Sequence, residues 1–134
     1  MNKISFVPVG KIVNGFNEST DPKNIKSQPS RIIIDKIYAE AFLNITECEY
    51  LDVVFYFDKL EGEEITLSGK NYFGAERGVF ASRTPKRPNL IGVTTVKLIE
   101  VVNDTELVVE GLDALNGSPV LDIESCDINS SLLK

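Results

Sequence analysis

The chain has no histidine and no tryptophan among its 134 residues, and only two cysteines. Without imidazole, Ser-His-Asp and Cys-His catalysis, a histidine general base and any metal site needing an imidazole from this chain are excluded. Cys48 and Cys126 lie far apart with no CxxC pair. Neither a structural zinc nor a redox dithiol is indicated, and both read as inert thiols that pack like small hydrophobes. Long apolar runs are lacking too: none approaches the roughly 20 residues of a membrane helix, so no membrane association is expected. The opening MNKISFVPVG has no continuous apolar stretch and no small-residue cleavage pattern, which points to structural sequence in a cytoplasmic protein and not to a signal peptide.

What is present is the composition of a globular chain, 43% hydrophobic and 25% charged. Its length suits one domain over residues 1–134. The net charge of -6 argues against indiscriminate nucleic-acid binding, but its distribution is uneven. From Arg77 to Ile99 the charged residues are Arg77, Arg83, Lys86, Arg87 and Lys97, with no Asp or Glu. Two readings stand side by side: a solvated basic face, or a site for an anionic ligand.

Strand signals dominate. Leu51, Val53, Phe55 and Phe57 alternate with Asp52, Val54, Tyr56 and Asp58, the clearest period-two pattern of the first half. GVTTVKLIEVV, the turn residues Asn103 and Asp104, and ELVVEGL predict an antiparallel hairpin, and Asn116-Gly117 a second tight turn before PVLDI. Residues 4–13, broken at Pro8 and Gly10, together with RIIID, ITLS and GVFASR, are further strand candidates. IYAEAFLNI carries an i, i+4 pattern that predicts one short helix, and residues 15–30 form a long polar loop. The fold class expected is all-β, a small antiparallel barrel of about six to eight strands. No GxGxxG or GxxxxGK[ST] pattern occurs, which excludes a dinucleotide-binding Rossmann unit and a Walker loop.

Two segments could carry chemistry. In RTPKRPNLIG, residues 83–92, Pro85 and Pro88 press their neighbours toward extended backbone, giving a stiff connection that holds Arg83, Lys86 and Arg87 in place. Cations ordered beforehand grip an anionic ligand at lower entropic cost. In GLDALNGSPVLDI, residues 111–123, Asp113 and Asp122 stand among apolar residues, where a carboxylate needs a partner or a task. Asp113 pairs with Arg83 or Arg87, caps a turn, or faces a ligand; Asp122 shares these readings or simply alternates out of a sheet.

GVFASRTPKRPNLIGVTTVKL followed by GLDALNGSPVLDI resembles the two signature segments of the TsaA-like, or TrmO-type, family, which methylates N6 of threonylcarbamoyladenosine in tRNA. PVGKIVN, RIIIDKIYAEAF and YLDVVFYF extend the likeness over nearly the whole chain. The resemblance implies an all-β barrel that uses S-adenosylmethionine, acts on tRNA and forms a homodimer with the cofactor pocket near the subunit interface. Carried over by motif position, Arg83, Val93, Leu112, Asp113, Ala114 and Leu115 are implied cofactor contacts. Tyr50 and Leu51 match an earlier cofactor site, and Gln28 in SQPS a ligand-loop Gln; Tyr50 also reads as a plain core or hairpin aromatic. Lys86, Arg87 and Asn89 are implied substrate contacts, facing the threonyl carboxylate and the anticodon-loop phosphates. Asp113 or Asp122 would receive the proton or balance the sulfonium charge.

The chain departs from the family pattern at several places. Leu90 stands where the family form carries a proline, which implies a less rigid loop. Tyr50 and Asp58 occupy positions where histidine is common, and Cys126-Asp127 replaces a Pro-Tyr pair. The second motif lies close to the end of the sequence, implying a short member without the further C-terminal domain of longer bacterial ones. A non-catalytic dimeric module binding adenosylmethionine or another small ligand is the competing expectation, and a ligand-free structural β protein the third.

Overall fold

The alternating stretch over residues 50–56 becomes a strand in the computed structural model, which describes residues 2–70 and 76–126. Leu51, Val53 and Phe55 are at most 1% exposed, so one face of this strand is core. In chain order the strands are β1 Gly10–Val13, β2 Ser30–Ile34, β3 Tyr50–Tyr56, β4 Ser68–Lys70, β5 Glu76–Gly78, β6 Ile91–Asn103, β7 Glu106–Glu110 and β8 Pro119–Cys126. Six of them close into an antiparallel barrel in the order β1-β2-β7-β6-β3-β8, while β4 and β5 pair separately. This is the expected all-β barrel. Ile12, Ile32, Val96, Leu107, Val109 and Val120 fill it from the other strands, each at most 1% exposed. The predicted hairpin is β6 and β7, joined through Asn103, whose side-chain oxygen accepts from the Thr105 backbone N–H at 2.9 Å.

The two hairpin strands are unequal. β6 has 13 residues and β7 has 5. β7 pairs with β6 only from Lys97 onward, whereas β3 pairs with it from Ile91 to Lys97. The stretch Ile91–Val96 therefore has a strand beside it on one side alone. The bonds Phe57 N–H to Leu90 O (2.8 Å) and Leu98 N–H to Glu49 O (2.9 Å) set the phase of the β3–β6 ladder. Even-numbered residues of β6 bond to β3, and Ile91, Val93 and Thr95 turn their peptide groups toward the open side.

Several expected elements differ. The strand expected over residues 4–13 is regular only from Gly10, because Pro8 has no N–H to give a ladder. ITLS contributes only Ser68 to β4. GVFASR is not a strand beyond Gly78: Val79–Ala81 is a 3-10 turn, with buried Val79 as its anchor. IYAEAFLNI winds as 3-10 turns, Lys36–Phe42 and Ile45–Glu47, started by Asp35, whose carboxylate accepts from Ile37 N–H. The polar loop of residues 15–30 contains α1, Pro22–Lys26, with Asp21 capping Lys23 N–H, Pro22 at its start and Ile25 buried beneath it. Asp127 lies outside the described residues.

The second motif is tied to the end of β1. Asn14 donates from its side chain to Ser30 Oγ (3.1 Å) and Ala114 O (2.9 Å), while its backbone N–H reaches Asn116 Oδ1 at 3.0 Å. Leu112 and Ala114 are buried at 0% and 2%, so alternation turns Asp113 outward.

Leu90, just before β6, has φ 55, the left-handed region that costs an ordinary L-residue about 1–2 kcal/mol. Its N–H donates to Arg87 O at 3.1 Å. A proline, fixed near φ -65 and lacking an N–H, fits neither feature. The loop is thus held at Leu90 by a left-handed residue and a backbone hydrogen bond that a proline could not supply. Leu90→Pro should lower stability by more than about 1 kcal/mol, while Leu90→Gly should stay within about 1 kcal/mol of the parent. Urea unfolding measures both, and a Leu90→Pro chain as stable as the parent would contradict the backbone reading.

Candidate functional site

A cavity of about 800 Å³ opens beside the half-paired stretch of β6. Its floor is aromatic. Phe55 on the inward face of β3 and Phe57 just past its end bring their rings together edge to face, with centroids 5.0 Å apart and planes at 73°. Gly92 sits opposite Phe55 on the ladder, and a Cβ there would lie 2.8 Å from both rings. Glycine at this position is what lets the pair lie against β6.

Around this floor stand charged groups from three separate elements. α1 brings Lys26, the 83–92 segment brings Arg83 and Arg87, and the second motif brings Asp113. Asp113 pairs with neither arginine: its Oδ1 accepts from Thr94 Oγ1 at 2.7 Å, and its Oδ2 lies 3.9 Å from Lys26 Nζ. Arg83 donates one N–H to Val93 O at 2.7 Å, the carbonyl that β6 turns to its open side. A guanidinium has five such donors, so most of this fork is left to face the cavity.

Arg87 does a different task. Its guanidinium donates to the carbonyls of Ser82 (3.1 Å), Thr84 (3.0 Å) and Val79 (3.1 Å), clamping the 3-10 turn and the loop after it. Lys86 faces away from the main cavity into a smaller one of about 320 Å³, together with Arg77, Thr66, Ser68 and Thr84. Asn89 is exposed and lines neither.

Of the residues singled out from sequence, the cavity therefore gathers Arg83, Arg87, Val93 and Asp113. Leu112 and Ala114 belong to the barrel core, so a ligand would meet only their backbone. Leu115 is half-buried and its carbonyl accepts from Ser118 Oγ at 2.7 Å. Gln28 follows α1, exposed, and does not line the cavity. Tyr50 and Leu51 lie at the opposite end of β3, where Tyr50 pairs with Lys97 and Cys126. Leu51 instead borders a separate groove of about 370 Å³, shared with Phe42, Ile45 and Asp122. Asp122 is exposed, and its carboxylate accepts from Ile123 N–H at 2.9 Å.

Lys26, Gly92, Thr94 and the exposed Phe80 at the cavity lip carry no mark in the sequence that assigns them to a site. The DP pair before α1 is the one usable signal, a helix start that brings Lys26 into position. On the opposite face of β3, Tyr56 has its phenol pushed above the usual range by desolvation, then by a hydrogen bond to Glu61 and the charges of Glu61 and Asp58. It stays protonated at neutral pH and is no base. Among the described residues no cluster of three or more Cys, Asp or Glu side chains gathers to hold a metal ion, and no helix is long and apolar enough to cross a membrane.

Known proteins place this geometry. An S-adenosyl-L-methionine-binding protein of Archaeoglobus fulgidus is 34% identical over 120 residues, which is 87% of this chain and 85% of the relative. The human tRNA (adenine(37)-N6)-methyltransferase is 49% identical over 51 residues, 38% of this chain and 11% of its own length. The crystal structure of TrmO from Pseudomonas aeruginosa superposes with a TM-score of 0.73 at 26% identity, covering 96% of this chain and 58% of that one. The chain thus spans little more than half the length of the solved TrmO chain. Residues 14–126, from the Asn14 anchor through both motifs to the end of β8, match the tRNA-methyltransferase O N-terminal domain, and the chain belongs to that family.

Proposed function

We propose that the chain is an S-adenosylmethionine-dependent methyltransferase acting on N6 of an adenine in tRNA, with the threonylcarbamoyladenosine of the anticodon loop as its substrate. One observation carries the reading: Arg83 and Val93 of the first motif meet Asp113 of the second over an aromatic floor in one cavity. The family, the Archaeoglobus relative named for adenosylmethionine binding and the human relative named for adenine N6 methylation support it.

The residues present fit the donor. S-adenosylmethionine would supply an electrophilic methyl group on a cationic sulfur. The Phe55 and Phe57 rings offer an apolar seat that also tolerates a cation at its faces. Arg83 presents a fork matched to a carboxylate. Thr94 and Asp113 supply hydroxyl and carboxylate partners for amine or ribose groups.

Methyl transfer to nitrogen is an in-line displacement, in which alignment and exclusion of water contribute much of the acceleration. No histidine is needed for it. The N6 nitrogen exchanges its proton for a carbon substituent, and Asp113 Oδ2, which lies 3.9 Å from Lys26 Nζ, is the carboxylate oxygen to take that proton, Oδ1 being held by Thr94. Lys86, in the hydroxyl-lined cavity beyond the turn, suits a phosphate of the RNA backbone. Such a protein works in the cytoplasm, where its RNA is found. We also read it as a homodimer, supported by Ile4, Phe6, Val7, Ile37 and Leu43, each at least 64% exposed.

A second reading, a non-catalytic adenosylmethionine-binding module, is favoured by one fact. The Archaeoglobus relative, which the chain spans over 85% of its length, is named for binding alone. Turnover separates the two. Incubation with labelled adenosylmethionine and threonylcarbamoyladenosine-containing tRNA should yield a methylated nucleoside, and cofactor binding without product would select the module.

At saturating cofactor, Asp113→Asn should reduce methyl transfer by about 100-fold or more, a loss separate from any weakening of cofactor binding, as removal of a general base gives. An unchanged rate would remove the proton role from Asp113. Lys86→Ala should weaken tRNA binding most at low salt and make the slope of log affinity against log salt shallower by roughly one. An identical slope would return Lys86 to the solvated face.

A further inference from the structure

The 3-10 turn Val79–Ala81 holds the Phe80 ring in water: it is 89% exposed, the highest value among the large apolar side chains described. The backbone beneath it is fixed on all sides. Val79 is 4% exposed, its N–H donates to Leu67 O at 2.9 Å, and its carbonyl accepts from Arg87 at 3.1 Å and Ser82 Oγ at 3.3 Å. On the far side Ala81 O accepts from Arg77 at 3.0 Å. Two guanidinium groups thus clamp the turn, and neither the packing of the core nor the aromatic floor makes use of the ring between them.

Phe80 stands on the lip of the 800 Å³ cavity, next to Arg83, in a stretch with no carboxylate from Arg77 to Ile99. An exposed aromatic ring on a fixed backbone with cations near it is a construction that holds single-stranded nucleic acid, the ring stacking a base and the cations tracking phosphates. Exposure separates this ring from the floor of the cavity, where Phe55 is 1% exposed. We propose that Phe80 is a stacking platform for an unpaired purine of the RNA substrate, holding it at the mouth of the cavity. The proposal rests on the methyltransferase reading for the identity of its ligand. Phe80 is a positioning residue here: stacking lowers the cost of keeping an extruded base out of the RNA stack.

The chain has no tryptophan, so Phe80→Trp puts a single indole on the cavity lip. At fixed salt, oligoadenylate and a tRNA transcript should each quench its emission, and adenosylmethionine alone should not. With threonylcarbamoyladenosine-containing tRNA, Phe80→Ala should raise KM about tenfold, within the range found when stacking on one base is removed. Its cofactor Kd should stay within about twofold and its thermal midpoint unchanged, since so exposed a ring contributes little to packing. Phe80→Tyr should recover the parent KM and Phe80→Leu should not. Quenching by the cofactor alone, recovery by Leu, or no quenching by either RNA overturns the proposal. So does an altered oligomeric state of Phe80→Ala with its KM for tRNA unchanged, which would place a second copy on the ring. If the parent chain transfers no methyl group, the methyltransferase reading fails by itself, and the response of the indole to oligoadenylate still decides the role of Phe80.

Discussion

β6 runs for 13 residues and β7 for 5, and a closed barrel built from them cannot pair both strands along their whole length. Where β7 ends, the chain leaves through Gly111 at φ 99 and enters the second motif, while β6 continues past it in the opposite direction of the sequence. The ladder to β3 keeps this stretch straight and ordered, yet its odd-numbered peptide groups face outward without a neighbouring strand. An edge of that kind invites pairing with another chain unless something covers it. Here Arg83 reaches one of its carbonyls and Asp113 stands beside Thr94, so side chains of both motifs converge where the missing strand would lie. The cavity is a consequence of unequal strand length, and the two motifs are the segments that flank it.

The same constraint sorts the basic segment. A turn of 3-10 backbone between β5 and the 83–92 loop leaves carbonyl groups without ladder partners, and buried or half-buried carbonyls need donors. Arg87 supplies them to three residues at once, which only a planar group with several N–H bonds can do. Its charge is thereby committed to shape, and Arg83 and Lys86 project on opposite sides of the turn it stabilises. Arg87, with Arg77 on Ala81 O, holds the wall between two cavities, and Arg83 and Lys86 face into them.

Much of the fold was legible because it rests on local pattern. Period-two alternation over residues 51–57 marks the core face of β3, and the β-branched runs around Asn103 and Asp104 mark the hairpin. Arg83, Val93 and Asp113, singled out through the motifs, line one cavity. What stayed hidden depends on tertiary placement. GVFASR has strand composition, but Arg77 and Arg87, close by in the chain, clamp its carbonyls in a 3-10 turn, and composition does not show which carbonyls an arginine will take. α1 was concealed because a five-residue helix with a single buried Ile25 has no apolar period to detect. The partner of Asp113 was equally illegible, since Thr94 and Lys26 reach it only once β6 and α1 are folded around it.

On the proposed function, a chain of net charge -6 would bind RNA against its own long-range field. At physiological ionic strength that field is screened beyond about 8 Å, so charges far from the cavity weigh little once the two molecules touch. Within that distance the stretch from Arg77 to Ile99 offers cations only. Attraction is then a contact property of one loop, and the acidic remainder repels nucleic acid presented in any other orientation. The balance of charge that argues against indiscriminate binding therefore acts as an orienting force: it favours approach of a phosphate backbone to the loop of Arg83 and Lys86, while Asp113 and Asp52, each hydrogen-bonded to a threonine of β6, bound that face.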